Sequence, residues 1–309
     1  MNDDLCPERI AVTGATGFVG RHVVARLQAA GHEVVSLSRR TGADLVSPDA
    51  AALRDALEGC DAVVHCAGIN REIGTQTYDA IHVRGTHALV EAARAVGVGH
   101  ITVLSFLRAR PDGPTAYHRT KWAAEAIIRE SGIPYTVLKA GVIHGRGDHM
   151  LDHLSHALYT FPVFGLVGMR ERPIRPVAVD DVARILEAAA TGDERLRNQT
   201  IAILGPEEMM LGDAVRRVAG TIGHRPVYVR LPIVAHLALA RVCEAAMRVP
   251  LISVAQVHIL AEGVVDASPP AGEPPTDLVP QTPFSDEVIR GGLPEPGAFG
   301  CRDLRWCRA

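Results

Sequence analysis

The stretch TAYHRTKWAAE, residues 115–125, sets Tyr117 four residues before Lys121. On a helix, side chains four apart share a face. A phenol ordinarily holds its proton to a pKa of about 10, and an ammonium beside it favours the phenolate. Such a pair is fit to exchange a proton with a carbonyl or an alcohol. An ordinary Tyr–Lys pair on a helix surface has the same spacing, so spacing alone leaves both readings open. Lysine occurs only at 121 and 139, and the other 30 basic residues are arginine. Arginine does not replace lysine where a compact point charge is needed.

A second chemical signature lies near the N-terminus. TGATGFVG spaces Gly14, Gly17 and Gly20 three apart, between an apolar run, RIAVTG, and a helical one. Glycines let a backbone approach a pyrophosphate, and the following helix N-terminus offers free N–H groups and partial positive charge. A generic tight turn uses the same glycines. The next strand ends SLSRR, with Arg39 and Arg40 and no carboxylate. An arginine there accommodates the 2′-phosphate of NADP, whereas an acid would bind the free ribose hydroxyl of NAD. NADP(H) is therefore expected, with NAD as the alternative. Asp44 follows, within reach of the adenine edge.

These groups need a scaffold, and the pattern supplies one. Strand-like runs RIAVTG, EVVSLSRR, DAVVHCAG, HITVLS and PYTVLKAGVIHG alternate with helical GFVGRHVVARLQAAG, PDAAALRDALEG, THALVEAARAVGV and AYHRTKWAAEAIIRESG. Gly31 is the expected stop of the first helix. Buried strands alternating with helices predict an α/β fold, a Rossmann-type doubly wound parallel sheet. After about residue 150 the rhythm breaks. VDDVARILEAAATG predicts a helix with Asp180 as N-cap, QTIAILG and PVYVRLP predict strands, and LGDAVRRVAGTIG a helix. The expected division is a dinucleotide-binding domain over 1–165, rejoined by 173–205, and a smaller C-terminal substrate lobe over 206–309. Residues 266–296, rich in proline, predict an extended arm or lid rather than a packed element.

With the glycine loop, DAVVHCAG and Tyr-x-x-x-Lys in this order, the chain resembles the short-chain dehydrogenase/reductase family, most of all its extended and atypical epimerase/dehydratase-like members. The likeness covers about residues 8–205, including ERPIRPVAVDDVAR. It implies a nicotinamide dinucleotide bound by Gly14, Thr16, Gly17, Phe18, Val19 and Gly20 of the loop, Ala67 and Gly68 after the third strand, and Lys121. It also implies backbone contacts to the nicotinamide carboxamide from Ala140, Gly141 and Val142, although Lys139-Ala140 stands where the family usually has Arg-Pro. The same likeness makes Tyr117 the general acid/base, Lys121 its partner and Ser105 a hydrogen-bond donor to the substrate oxygen. Two departures stand out. His82 replaces the asparagine that many relatives use in a water-mediated proton path. The segment between Ser105 and Tyr117 is short, unlike that of nucleotide-sugar epimerases and dehydratases.

Composition narrows the function classes. Net charge is −3, giving no basic footprint for nucleic acid. MNDDLCPERI is acidic and lacks the apolar core of a signal peptide. Six scattered cysteines make no disulfide framework and suit a reducing cytoplasm. No uninterrupted run is long enough to span a membrane. Residues 231–260 read as two amphipathic helices that leave room for surface membrane contact or an apolar substrate. HGRGDHMLDHL holds His144, Arg146, Asp148, His149 and His153 without a recognised ligand spacing, so no metal is expected. Arg170, Arg172 and Arg175 are candidates for an anionic group on a small-molecule substrate. The expected function is NADP(H)-dependent oxidoreduction of a carbonyl/alcohol pair. An epimerase or dehydratase, or a non-enzymatic dinucleotide-binding accessory or redox-sensing protein, stays open, as does the oligomeric state.

Overall fold

A computed structural model describes residues 8–39 and 44–306 of the chain. The elements begin with β1 (Arg9–Thr13), α1 (Phe18–Ala29), β2 (Glu33–Leu37), α2 (Ala50–Leu57) and β3 (Ala62–His65). A π-helical segment, Asp79–Gly85, leads into α3 (Thr86–Val96), followed by β4 (His100–Phe106), α4 (Ala116–Arg129) and β5 (Tyr135–Ala140). Next come β6 (Ile143–His144), α5 (His149–Thr160), β7 (Val163–Val167), β8 (Pro173–Ile174), β9 (Val177–Ala178), α6 (Val179–Ala190) and β10 (Gln199–Ile203). The last elements are β11 (Met209–Met210), α7 (Leu211–Thr221), β12 (Val227–Leu231), α8 (Ile233–Ala246), α9 (Val254–Glu262) and α10 (Asp286–Gly292).

Two compact units share the chain. The first takes the chain up to Ala140, Val179–Ile203 and Asp266–Pro280. Its six strands run in the order β10-β5-β4-β3-β1-β2, with every pairing parallel. Such strands are covered on both faces and so must be apolar; Ile10, Ala11, Val12, Val63 and Val64 are wholly buried. Helix α1 turns Val19, Val23 and Leu27 inward and stops before Gly31, whose φ of +91° suits glycine. From β1 the chain steps to β2 on one side and then returns to β3 on the other. The order therefore reverses between β1 and β3, and a doubly wound sheet binds ligands at the carboxyl ends flanking that reversal. Thr13 and His65 are paired in register there.

The second unit takes Gly141–Ala178, Leu204–Val265 and the chain from Gln281. It is built on three two-stranded pairings, β6 with β9, β7 with β12, and β8 with β11. Val167, Ala240 and Val257 form a small core. Helices α8 and α9 replace the two amphipathic helices expected, and α8 departs from that pattern. Its outward face carries Val234, Val242 and Leu239, which are 76%, 62% and 45% exposed. Among the described residues no helix is long and apolar enough to cross a membrane.

Two local expectations are corrected. Asp180 lies inside the first turn of α6 rather than capping it, and its carboxylate meets His22 Nδ1 at 3.0 Å. The proline-rich stretch is not a free arm. Gly272 N–H donates to the Thr200 carbonyl at 2.9 Å and the Gly272 carbonyl accepts from Ala202 N–H at 2.8 Å, adding to the β10 edge. Farther on, Ser285 caps α10, and Phe284 and Ile289 are buried. Apolar anchors spaced among the prolines pack the segment without needing its missing N–H donors.

Candidate active site

The turn after β1 is built by glycine. Gly14 sits at φ +66°, and a Cβ there would come within 2.8 Å of the Ala67 backbone. A Cβ at Gly17 would stand 3.0 Å from the Gly14 carbonyl, and one at Gly20 would run into that carbonyl. The loop is closed by Gly17 N–H donating to Gly14 O at 2.8 Å. Helix α1 has no side-chain cap and no acid in its first turn. Its leading N–H groups and dipole are left for an anion. Thr16 is exposed beside them, Phe18 is half-buried and Val19 is buried. Arg39 is exposed after β2, and Arg40 lies outside the described residues. Asp44 accepts the Val46 N–H at 3.0 Å, which closes its own turn. No carboxylate follows β2 directly in the sequence.

Behind the loop is a buried polar relay. Thr13 Oγ1 accepts from Ala67 N–H at 3.3 Å and lies 2.6 Å from His65 Nδ1, while His65 Nε2 lies 3.0 Å from Thr86 Oγ1. Burial, helped by Lys121, pushes the His65 imidazole down to about 3, so the ring is neutral. The Cys66 thiol next to it is pushed up to about 12 by desolvation and stays protonated.

His82 lies in the π-helical turn. Its Nε2 accepts from Ile69 N–H at 3.1 Å, so the ring proton belongs on Nδ1, 3.0 Å from Thr120 Oγ1. Thr120 donates onward to the Ala116 carbonyl at 2.8 Å. Desolvation first, then the Lys121 charge, holds His82 well below its ordinary pKa. It is neutral with both nitrogens engaged.

Helix α4 brings Tyr117 and Lys121 to this place. The half-buried Tyr117 ring packs on Phe106, Tyr78 and His82 at centroid distances of 5.3, 5.7 and 5.8 Å. Lys121 is buried, donates to the Leu104 carbonyl at 2.7 Å, and is pushed down to about 8 by desolvation. A Cβ on Gly68 would stand 3.5 Å from both Lys121 Nζ and His82 Nε2. The exposed Gly68 backbone thus opens directly onto the two groups. One expectation changes: burial pushes the Tyr117 phenol up rather than the ammonium drawing it down. The phenol therefore stays protonated.

Ser105 is drawn elsewhere. Its hydroxyl donates to the Glu125 carboxylate at 2.5 Å. Glu125 is wholly buried, one turn after Lys121, and also meets Arg129 at 2.6 Å and Lys139 at 3.5 Å. Lys139 is wholly buried too and donates to the Ala109 carbonyl at 2.9 Å. Both lysines of the chain therefore stand within the influence of one buried carboxylate. Neither Glu125 nor His65 was identified from the sequence. Glu125 had a usable signal, because Tyr117, Lys121, Glu125 and Arg129 recur every fourth residue.

Ala140 ends β5 and is buried, while Gly141 and Val142 open the second unit, where the Val142 carbonyl accepts from Val177 N–H at 2.9 Å. Arg175 donates to the Gly205 carbonyl at 3.0 Å, a structural bond, whereas Arg170 and Arg172 are exposed.

An NAD(P)H-binding domain family matches residues 14–154. A (4-alkanoyl-5-oxo-2,5-dihydrofuran-3-yl)methyl phosphate reductase of Streptomyces griseus is 30% identical over 71% of this chain and 75% of its own length. A ceramide reductase of Caulobacter vibrioides is 28% identical over 72% of this chain and 73% of its own. An uncharacterized Mycobacterium tuberculosis protein is 28% identical over 80% of this chain, which spans only 27% of that relative's length. Among solved structures, MoeE5 in complex with UDP-glucose and NAD superposes with a TM-score of 0.60, at 25% identity over 72% of this chain and 85% of that one.

Proposed function

The chain belongs to the short-chain dehydrogenase/reductase family, among its extended NAD(P)-binding members, and from that premise we propose that it is an NADP(H)-dependent carbonyl reductase. When bound, the dinucleotide supplies a hydride to the substrate carbon. The glycine loop and the α1 N-terminus would hold its phosphates, Arg39 the 2′-phosphate, and Lys121 the sugar next to the reacting ring. Tyr117 gives its proton to the oxygen of the carbonyl as that oxygen gains charge. His82 fixes the Tyr117 ring by packing and holds Thr120 and Ile69 in place; as a neutral, doubly bonded ring it does not itself take up the proton. Ser105 reaches a substrate oxygen only by leaving Glu125.

The observation that carries this reading is the junction at Gly68, where an open backbone meets Lys121 Nζ and His82 Nε2 beside Tyr117. Reduction is the direction proposed because two of the relatives are named as reductases. The substrate side takes its cue from the relatives, two of which are named as reductases of a ceramide and of an alkanoyl-bearing phosphate. An apolar, chain-bearing ketone is the substrate class proposed, in a reducing cytosol that suits free Cys60, Cys66, Cys243 and Cys301. MoeE5, found with UDP-glucose, favours a second reading as a nucleotide-sugar enzyme that retains its cofactor. A panel of alkanones, acyl ketones and nucleotide sugars, followed at 340 nm with NADPH and NADH, separates the two. Net NADPH consumption on the ketones is expected. Turnover of a nucleotide sugar without net consumption would instead select the second reading.

A further inference from the structure

Helix α5, in the second unit, carries chemistry that the proposed reduction does not use. Its first turns read HMLDHLSH, and the capping residue before them is Asp148. Asp148 is buried and its carboxylate is already engaged by Leu151 N–H at 2.6 Å and Gly145 N–H at 2.7 Å. His149, Asp152 and His153 follow at i, i+3 and i+4, the spacing that stacks side chains on one helix face. One nitrogen or oxygen from each lies within 4.8 Å of the others. A tetrahedral zinc ion with bonds of about 2.0–2.1 Å sets its ligand atoms roughly 3.4 Å apart, so side-chain rotations of about 1 Å close the set.

Neighbouring groups restrain Asp152 and His153. Asp152 Oδ2 stands 3.8 Å from His153 Nε2, and Asp152 Oδ1 3.4 Å from His156 Nδ1. His156 Nδ1–H donates to the Asp152 backbone carbonyl at 2.8 Å, fixing that ring one turn along. Phe299 packs on His153 and His156 at centroid distances of 6.4 and 5.6 Å. His153 is buried and so restricted in rotamer, whereas His149 is exposed and leaves a path from solvent. Restrained outer contacts of this kind orient metal-binding imidazoles.

We propose that His149, Asp152 and His153 bind one zinc-class divalent cation, with the remaining position open to water. Two imidazoles and a carboxylate select zinc, cobalt or nickel over magnesium or calcium, which prefer all-oxygen shells.

Isothermal titration of the metal-stripped full chain with zinc chloride tests this. One equivalent is expected to bind, with magnesium chloride giving no heat and failing to compete. His149→Ala and Asp152→Asn, both on the solvent side, are each expected to weaken zinc at least about tenfold, the smallest effect usual even for an outer-sphere partner. Neither should change NADPH binding or the melting temperature in chelator. Cobalt titrated into the wild type should give a visible d–d spectrum that His149→Ala removes. Zinc binding unchanged in both variants, zinc displaced by magnesium, or no binding at all would overturn the assignment.

Discussion

Replacing Glu125 by glutamine removes one charge and keeps the shape. The change leaves the Lys139 ammonium, 1% exposed, without its nearest anion at 3.5 Å. Arg129 is different, because its side chain is 23% exposed and turns to water. Lys139 keeps two weaker supports, the Ala109 carbonyl at 2.9 Å and the Trp122 ring face at 5.4 Å. Removing one partner of a buried ion pair ordinarily costs about 3–5 kcal/mol. An upper bound comes from Lys139 shedding its proton. At pH 7 that costs at most about 4.6 kcal/mol, from 1.36 kcal/mol per unit over the roughly 3.4 units down from the free value of 10.4, and burial already holds Lys139 below that value. A loss of about 3–4 kcal/mol is therefore expected for Glu125→Gln in urea melts with a constant m-value. Glu125→Gln with Lys139→Met should recover most of it, since an apolar replacement removes the stranded charge. A single-variant loss below about 1 kcal/mol, or a double variant as unstable as the two single losses summed, would refute the claim that Glu125 is the counter-ion of Lys139.

Other outcomes follow from the same geometry. The Lys121 ammonium titrates at about 8, so kcat/KM for the reduction should fall as pH rises through 8; Lys121→Arg, whose charge does not titrate, should lack that limb whatever its residual rate. His65 is neutral in the fold at about 3, while the unfolded ring takes a proton near 6.5. The unfolded chain then binds more protons below 6.5, so stability should fall as pH drops from 6.5 toward 3, and His65→Asn should flatten that slope in melts at stepped pH. Gly20→Ala should abolish NADPH binding by calorimetry, because the new Cβ meets the Gly14 carbonyl that shapes the loop. Arg39→Ala should weaken NADPH much more than NADH in parallel titrations, and an equal loss would remove the 2′-phosphate role.

The sequence made the sheet and its first turn legible because both rest on local rules. Apolar runs between glycines mark strands buried on both faces, and the Gly14–Gly17–Gly20 spacing marks a backbone that must approach itself closely. The placement of Tyr117 and Lys121 on one helix was legible for the same reason, as a four-residue interval. What depends on long-range register was not. Ser105 bonds to Glu125 because β4 lies beside α4, and Lys139 joins them because it is paired with Ser105 across β4 and β5. No spacing rule links residues 105, 125 and 139. The upward shift of Tyr117 was hidden too, since it comes from Phe106, Tyr78 and His82 closing around the ring rather than from its neighbour on the helix. Proline count misread residues 266–296, where Leu278, Phe284 and Ile289 decide the packing.

The central claim is that Tyr117 delivers the proton while the bound dinucleotide delivers the hydride to a ketone. Its most direct test is a single-turnover reaction with NADPH deuterated at the transferred C4 position, comparing wild type with Tyr117→Phe. The wild type should oxidise the cofactor and form an alcohol bearing one deuterium on carbon. Tyr117→Phe should bind NADPH equally well and react slower by about 10²–10⁴-fold, the range for losing a positioned acid. Equal rates for the two proteins, or an alcohol without deuterium, would contradict the account.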